Sequence, residues 1–201
     1  AVLNCGAKPV LVDITDDLTI DSVKIREAIT SKTKAIIGVD IAGWPCDYKD
    51  IKRIISESAI HNKFVPLSEN QKKMGRILLI ADAAHSIGSK IDGRSAAEQA
   101  DITIFSFHAV KNITTAEGGC ICLNLVSPFD NEEEYQYLKI YSLNGQNKDA
   151  YSKYRGSSWK YDILHQGVKA NMPDICAAIG LAQIKQYSQF LHHSYQTYHE
   201  S

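Results

Sequence analysis

Two short segments hold the residue types that could perform covalent or acid–base chemistry. The first is Ile80-Ala81-Asp82-Ala83-Ala84-His85, where a carboxylate and an imidazole follow an apolar run. The second is Ser106-Phe107-His108-Ala109-Val110-Lys111-Asn112, continued by Thr114-Thr115-Ala116-Glu117-Gly118-Gly119. It gathers a hydroxyl, an imidazole, a primary amine and a glycine pair behind apolar Ile102 to Phe105. An amine withdrawn from water can attack a carbonyl, and a carboxylate nearby can hold a proton. Each segment also has a plainer reading. Asp82 could simply cap the next turn, and a loop lysine is most often solvated. Ser106 and His108 do not make a hydrolase, since no Gly-x-Ser-x-Gly elbow is present. The glycines do not make a P-loop, since no Gly-Lys-Ser/Thr follows at the required distance.

Strands must position these residues. Ile77 to Ala81 is a near-continuous apolar run, as expected of a strand buried on both faces. Ile102 to Phe105 and Cys120 to Leu123 are two more strands, and Pro9 to Val12 and Ala35 to Val39 are expected to precede them. Asp82 and Ser106 therefore stand at the carboxyl ends of strands, where open α/β sheets receive ligands. Helical spacing appears from Asp21 to Ile29, Asp47 to Glu57, Glu132 to Ser142 and Asp174 to Leu191. Strands alternating with helices imply an α/β fold with a parallel or mixed sheet. The polar stretch His61 to Arg76 reads as a surface excursion, and Asn144 to Lys160 as a long loop.

Composition narrows the function classes. The 201 residues are 44% hydrophobic with a net charge of -1, so no broad basic field attracts nucleic acid. No apolar run reaches the roughly 20 residues of a membrane helix, and no secretory leader is visible. The five cysteines match neither a disulfide framework nor a metal signature. Cys120 and Cys122 alternate within a strand and would face one side of the sheet as small hydrophobes. A reducing, cytoplasmic setting follows.

Taken together, the phrases Asp82 to Gly88 and Ser106 to Gly119 closely resemble the pyridoxal-phosphate (PLP)-dependent sugar aminotransferases known as the DegT/StrS family. Three further phrases resemble the same family in the same order. They are Cys5 to Ile14, the turn Ala42-Gly43-Trp44-Pro45-Cys46-Asp47, and Gly167 to Gly180. The resemblance implies a three-layer, fold type I large domain with a mostly parallel seven-stranded sheet. Residues 1–201 would form its central part, incomplete at both ends. The upstream phosphate-binding loop and the C-terminal small domain would lie outside it.

The resemblance also implies roles. Lys111 would hold PLP as a Schiff base and later carry a proton. Asp82 would pair with the pyridine nitrogen, His85 would pack near the ring, and Ser106 would bond the phosphate. Lys169 and Asn171, in the interface loop, would reach the phosphate of a neighbouring subunit, making the enzyme a homodimer with a shared site. In that loop Val168 and Ala170 replace two aromatics usual in the family. The reaction would move an amino group, from L-glutamate, to a keto nucleotide-sugar for surface polysaccharide or glycan synthesis. Neither metal, nucleic acid nor membrane is implied. A sugar dehydratase of the same family and a non-catalytic PLP or sugar-nucleotide binder are the alternatives. The dehydratases typically carry His where Lys111 stands, which favours transamination. Retention of Asp82, Ser106 and Lys111 together weighs against a binder.

Overall fold

The computed structural model describes residues 1–148 and 160–200. Four strands form its main sheet in the order β1-β2-β5-β6: β1 (Ala35–Val39), β2 (Leu78–Asp82), β5 (Ile102–Ser106) and β6 (Gly119–Leu123). β1, β2 and β5 run parallel, and β6 returns antiparallel to β5. The direction follows from the connections. Helices α2 (Tyr48–Ser56), α3 (Ser58–His61) and α4 (Glu69–Met74) cross over between β1 and β2. A small hairpin, β3 (Lys90–Ile91) with β4 (Arg94–Ser95), and a 3₁₀ turn at Ala96–Glu98 carry the chain from β2 to β5. Only the loop from Phe107 to Gly118 separates β5 from β6, and that short return makes the pair antiparallel.

One face of this sheet is the core. Ile36, Leu79, Ala81 and Phe105 are buried there, in one cluster with Ile25 of α1 (Ser22–Ala28) and Ile51, Ile54 and Ile55 of α2, and Thr103 is enclosed as well. Each buried isoleucine contributes about 1.5–3 kcal/mol of burial free energy. The helices start where side chains can satisfy their first amide groups. Asp21 accepts from Val23 and Lys24, Asp47 from Asp50, and Asp130 from Glu132 and Glu133 of α5 (Asn131–Tyr141). Ser68 caps α4, which ends at Gly75 with φ +69°, a left-handed value suited to glycine.

Several expectations change. Pro9 to Val12 is not a strand: Leu11 is 95% exposed, and the nearest pairing is a single bridge between Ile14 and Ile20. An apolar run without a neighbouring strand has nothing to receive its backbone hydrogen bonds. β2 is not buried on both faces. Leu79 and Ala81 are enclosed, whereas Leu78 and Ile80 are half-buried. The same open face shows Ile37, Val39, Ile104 and Ile121, each at least 40% exposed. The excursion from His61 to Arg76 contains α4, and its last residue is not a surface group. Arg76 makes a two-pronged ion pair with Asp101, which is 1% exposed. Most of the expected loop from Asn144 to Lys160 lies outside the described residues. The last helix, α6 (Asp174–Glu200), begins after Pro173 as expected and is longer than its sequence periodicity indicates.

Candidate active site

Asp82 is the last residue of β2 and Ser106 the last of β5, its parallel neighbour. Both side chains therefore emerge at the same end of the sheet. Asp82 is half-buried, and its Oδ1 accepts a 3.3 Å bond from the Ala84 amide. Its Oδ2 takes no hydrogen bond among the described residues. The chain then turns sharply: the Ala83 amide donates to the Ile104 carbonyl and the Ser86 amide to the Ala83 carbonyl. Ala83 is fully enclosed and Ala84 half-buried, so the floor of the turn is thin. His85 is exposed at its tip.

Lys111 lies in the loop joining β5 to β6. Both flanks of that loop are pinned. The Phe107 amide donates to the Gly118 carbonyl at 2.9 Å, and the Thr115 amide to the Phe107 carbonyl at 2.9 Å. Ile113 and Thr115 are buried beneath it. The Thr114 amide donates to the Gln183 side chain on α6 at 2.7 Å. Lys111 itself closes a turn, its amide donating to the His108 carbonyl. Its side chain is half-buried, and its amine has no hydrogen-bond or ion-pair partner among the described residues. Ser106 Oγ accepts from the His108 amide at 3.3 Å, which leaves its own hydrogen free to donate. One bond ties the two segments together: Asn112 Nδ2 donates to the His85 carbonyl at 3.3 Å.

The four residues expected in the large-domain site lie on two neighbouring segments. Asp82, His85, Ser106 and Lys111 come from two segments joined at one end of the sheet. Lys169 and Asn171 do not join them within this chain. Both are exposed, and the Lys169 amine bonds the Asn171 side-chain oxygen. The Asn171 amide is held by the Ser142 carbonyl, and Lys169 pairs with Leu143 in an isolated bridge. Nearby, Met172 reaches Gly118 of the lysine loop.

Sequence reasoning passed over a polar network behind the Asp82 turn. Asp40 follows β1 directly and is 1% exposed. It accepts from Tyr48 Oη at 2.6 Å, Ser86 Oγ at 2.6 Å and the Cys46 amide at 3.1 Å. Burial, reinforced by the Asp40 carboxylate, pushes the Tyr48 hydroxyl far above the ordinary phenol range, so it stays a donor. The signal was available: Asp40, like Asp82, is a carboxylate placed directly after an apolar run.

The donor set suits a phosphorylated aromatic aldehyde. It offers a carboxylate with an open oxygen, an unpaired amine, a hydroxyl with its hydrogen to give, and an imidazole beside a floor of alanines. An open cleft of about 540 Å³ borders the group, lined by Ala42, Gly43, His85, Gly88, Asn112 and Leu191 among others. Its size fits an organic ligand. It meets the cluster at His85 and Asn112 and does not enclose Asp82 or Lys111. Among the described residues no group of three or more His, Cys, Asp or Glu could hold a metal ion. No described helix is long and apolar enough to cross a membrane.

The model of the DegT/DnrJ/EryC1/StrS aminotransferase family matches residues 1–62 and 67–199, leaving 63–66 in the His61 to Arg76 excursion unmatched. The spore coat polysaccharide biosynthesis protein SpsC of Bacillus subtilis is 34% identical over 92% of this chain and 42% of its own length. Among solved structures, a putative sugar aminotransferase of Streptococcus pneumoniae, Spr1654, superposes in its PMP form with a TM-score of 0.84. It is 42% identical, covering 94% of this chain and 47% of that one. The PLP form of the same protein gives a TM-score of 0.83. PseC of Helicobacter pylori, an aminotransferase in pseudoaminic acid biosynthesis, is 26% identical with a TM-score of 0.70, covering 92% of this chain and 42% of that one. The chain thus spans less than half the length of these relatives.

Proposed function

Because the chain belongs to the DegT/DnrJ/EryC1/StrS aminotransferase family, we propose that it is the cofactor-binding part of a PLP-dependent aminotransferase acting on a keto nucleotide-sugar. Lys111 is the amine that holds PLP. The observation that carries this reading is the Asn112–His85 bond, which brings the lysine loop against the Asp82 turn at the ends of adjacent parallel strands. When bound, PLP supplies a reactive carbonyl and an electron-accepting ring.

The protein supplies the rest. Lys111 Nζ would hold the cofactor and, when free, would carry a proton as general acid and base. Asp82 keeps a proton on the ring nitrogen through its carboxylate, for which its open oxygen is suited. Ser106 Oγ donates to the phosphate, and His85 packs beside the ring. Lys169 and Asn171, exposed in their own chain, serve the phosphate of a neighbouring subunit in a homodimer.

We place residues 1–201 in the central part of a large domain with a seven-stranded, three-layer architecture. The uncovered face at Ile37, Val39, Ile104 and Ile121 supports a further layer of helices, since parallel sheets are buried on both sides. In this reading the amino donor is L-glutamate, the setting is cytoplasmic, and the product serves surface polysaccharide or glycan assembly; the last point is supported by the name of SpsC, a spore coat polysaccharide biosynthesis protein. The test is a panel of keto nucleotide-sugars incubated with nitrogen-labelled L-glutamate and the full-length protein. Label in an amino-sugar nucleotide is expected. Turnover to a deoxygenated sugar without label would instead favour the dehydratase.

A further inference from the structure

The carboxylate of Asp40 is 1% exposed, and no Lys, Arg or His pairs with it among the described residues. Burying an anion without a counter-cation is costly unless its oxygens are fully bonded. Here they are. Oδ1 accepts from Tyr48 Oη at 2.6 Å and from the Cys46 amide at 3.1 Å, and Oδ2 accepts from Ser86 Oγ at 2.6 Å. The Asp40 amide also donates to the Asp82 carbonyl at 2.9 Å. An apolar side chain of similar volume would fill the same space at less cost. The aspartate adds direction: it joins the end of β1, the start of α2 and the turn after β2 through bonds of fixed geometry.

That turn carries the groups proposed to face the cofactor. Ser86 directly follows His85 and is fully enclosed. On the same side, Gly43 lies so close that a Cβ there would stand 3.1 Å from the His85 carbonyl. Ser89 Oγ adds a bond to the Gly43 carbonyl at 2.9 Å. From the other side the turn receives the exposed bond from Asn112, the Ala83 amide's bond to the Ile104 carbonyl of β5, and a bond from the Tyr187 hydroxyl of α6 to the Ile87 carbonyl. The buried side-chain hold on Ser86, next to His85, comes from Asp40 at the end of β1.

We propose that Asp40 is a positioning residue, whose carboxylate acts through Ser86 to fix the orientation of the Asp82–His85 turn against the cofactor. This rests on the reading of Asp82 and Lys111 as a PLP site. A merely structural Asp40 would affect stability alone, whereas a positioning Asp40 affects how tightly and at what angle the cofactor is held.

The test uses the full-length enzyme and three readouts: thermal midpoint, PLP dissociation constant of the stripped protein, and the circular dichroism induced in the bound cofactor. Ser86→Ala cuts the link between Asp40 and the turn. It is expected to weaken PLP about tenfold or more, since small misplacements at a site are costly, and to diminish the induced signal. Asp40→Ala should do the same, and Asp40→Asn, which can keep the hydrogen-bonded connections, should recover most of the affinity. Asp101→Asn is the control. It breaks another buried carboxylate's contacts, those with Arg76 and the Leu79 amide at the opposite end of the sheet. It should lower the thermal midpoint and leave PLP affinity and the induced signal unchanged. The inference is overturned if Ser86→Ala and Asp40→Ala bind PLP as the wild type does. It is equally overturned if Asp101→Asn loses affinity in step with its midpoint. A wild-type enzyme that binds no PLP would overturn the functional reading itself, and this inference with it.

Discussion

Replacing Gly119 with alanine should damage both the fold and the cofactor site. Gly119 opens β6 and lies opposite Ser106 in the β5–β6 register. A Cβ at this position would stand 2.6 Å from the Phe105 carbonyl oxygen. Carbon–oxygen contacts across strands settle at about 3.3 Å or more, so the strands must part by roughly 0.7 Å. The obstacle is backbone, which cannot rotate aside. Overpacking of this kind costs about 1–3 kcal/mol. The same displacement moves Ser106 and the near end of the loop carrying Lys111. Misplacement of reacting groups by about 1 Å can cost on the order of 10²-fold in rate. Urea unfolding and a PLP titration of the full-length Gly119→Ala protein measure the two effects. A variant with native stability and native affinity would refute the reasoning, because the close approach would then set neither strand spacing nor the site.

Asp82→Asn should retain a measurable fraction of bound cofactor while losing most of the steady-state kcat with L-glutamate. Normal turnover would remove Asp82 from its role at the ring nitrogen. Leu79→Ala, at a fully enclosed core position, should lower unfolding free energy by about 2–5 kcal/mol in a denaturant titration. The Cys122 thiol is drawn down to about 7 by a hydrogen bond from Cys120, whereas burial pushes Cys46 upward. Because the thiolate is the nucleophile, alkylation of Cys122 should rise as pH increases through about 7 while Cys46 stays unmodified across that range. Peptide mapping after timed labelling reads both, and a Cys122 rate that stays flat until pH 9 would contradict the assignment.

Local chemistry made much of this fold legible. The apolar runs at Ile77 to Ala81 and Ile102 to Phe105 have the β-branched content and length of buried strands, and they are strands. The helix starts at Asp21 and Asp47 were readable because a carboxylate before a periodic segment satisfies free amides, whereas the helix expected from Glu132 starts at Asn131 with Asp130 as its cap. Pro9 to Val12 misled because its composition is that of a strand, while pairing depends on a neighbour that composition does not reveal. The open sheet face was hidden for the same reason: burial of Ile37 or Ile104 depends on which element packs above it. At the site, Asp82 and Lys111 stood out through residue type and position after strands. Asp40 shares that position, yet its partners Tyr48 and Ser86 lie eight and 46 residues away. Only the folded chain brings them together. The Arg76–Asp101 pair, separated by 25 residues, was invisible for the same reason.

The bond between Lys111 and its cofactor can be trapped directly. Borohydride treatment of the full-length protein isolated with PLP fixes the cofactor to the amine that holds it, and mass spectrometry of the digest locates that amine. A pyridoxyl modification on Lys111, absent from Lys111→Ala, is the expected result. Modification of a different lysine, or of none in a protein that retains PLP, would contradict the proposed site.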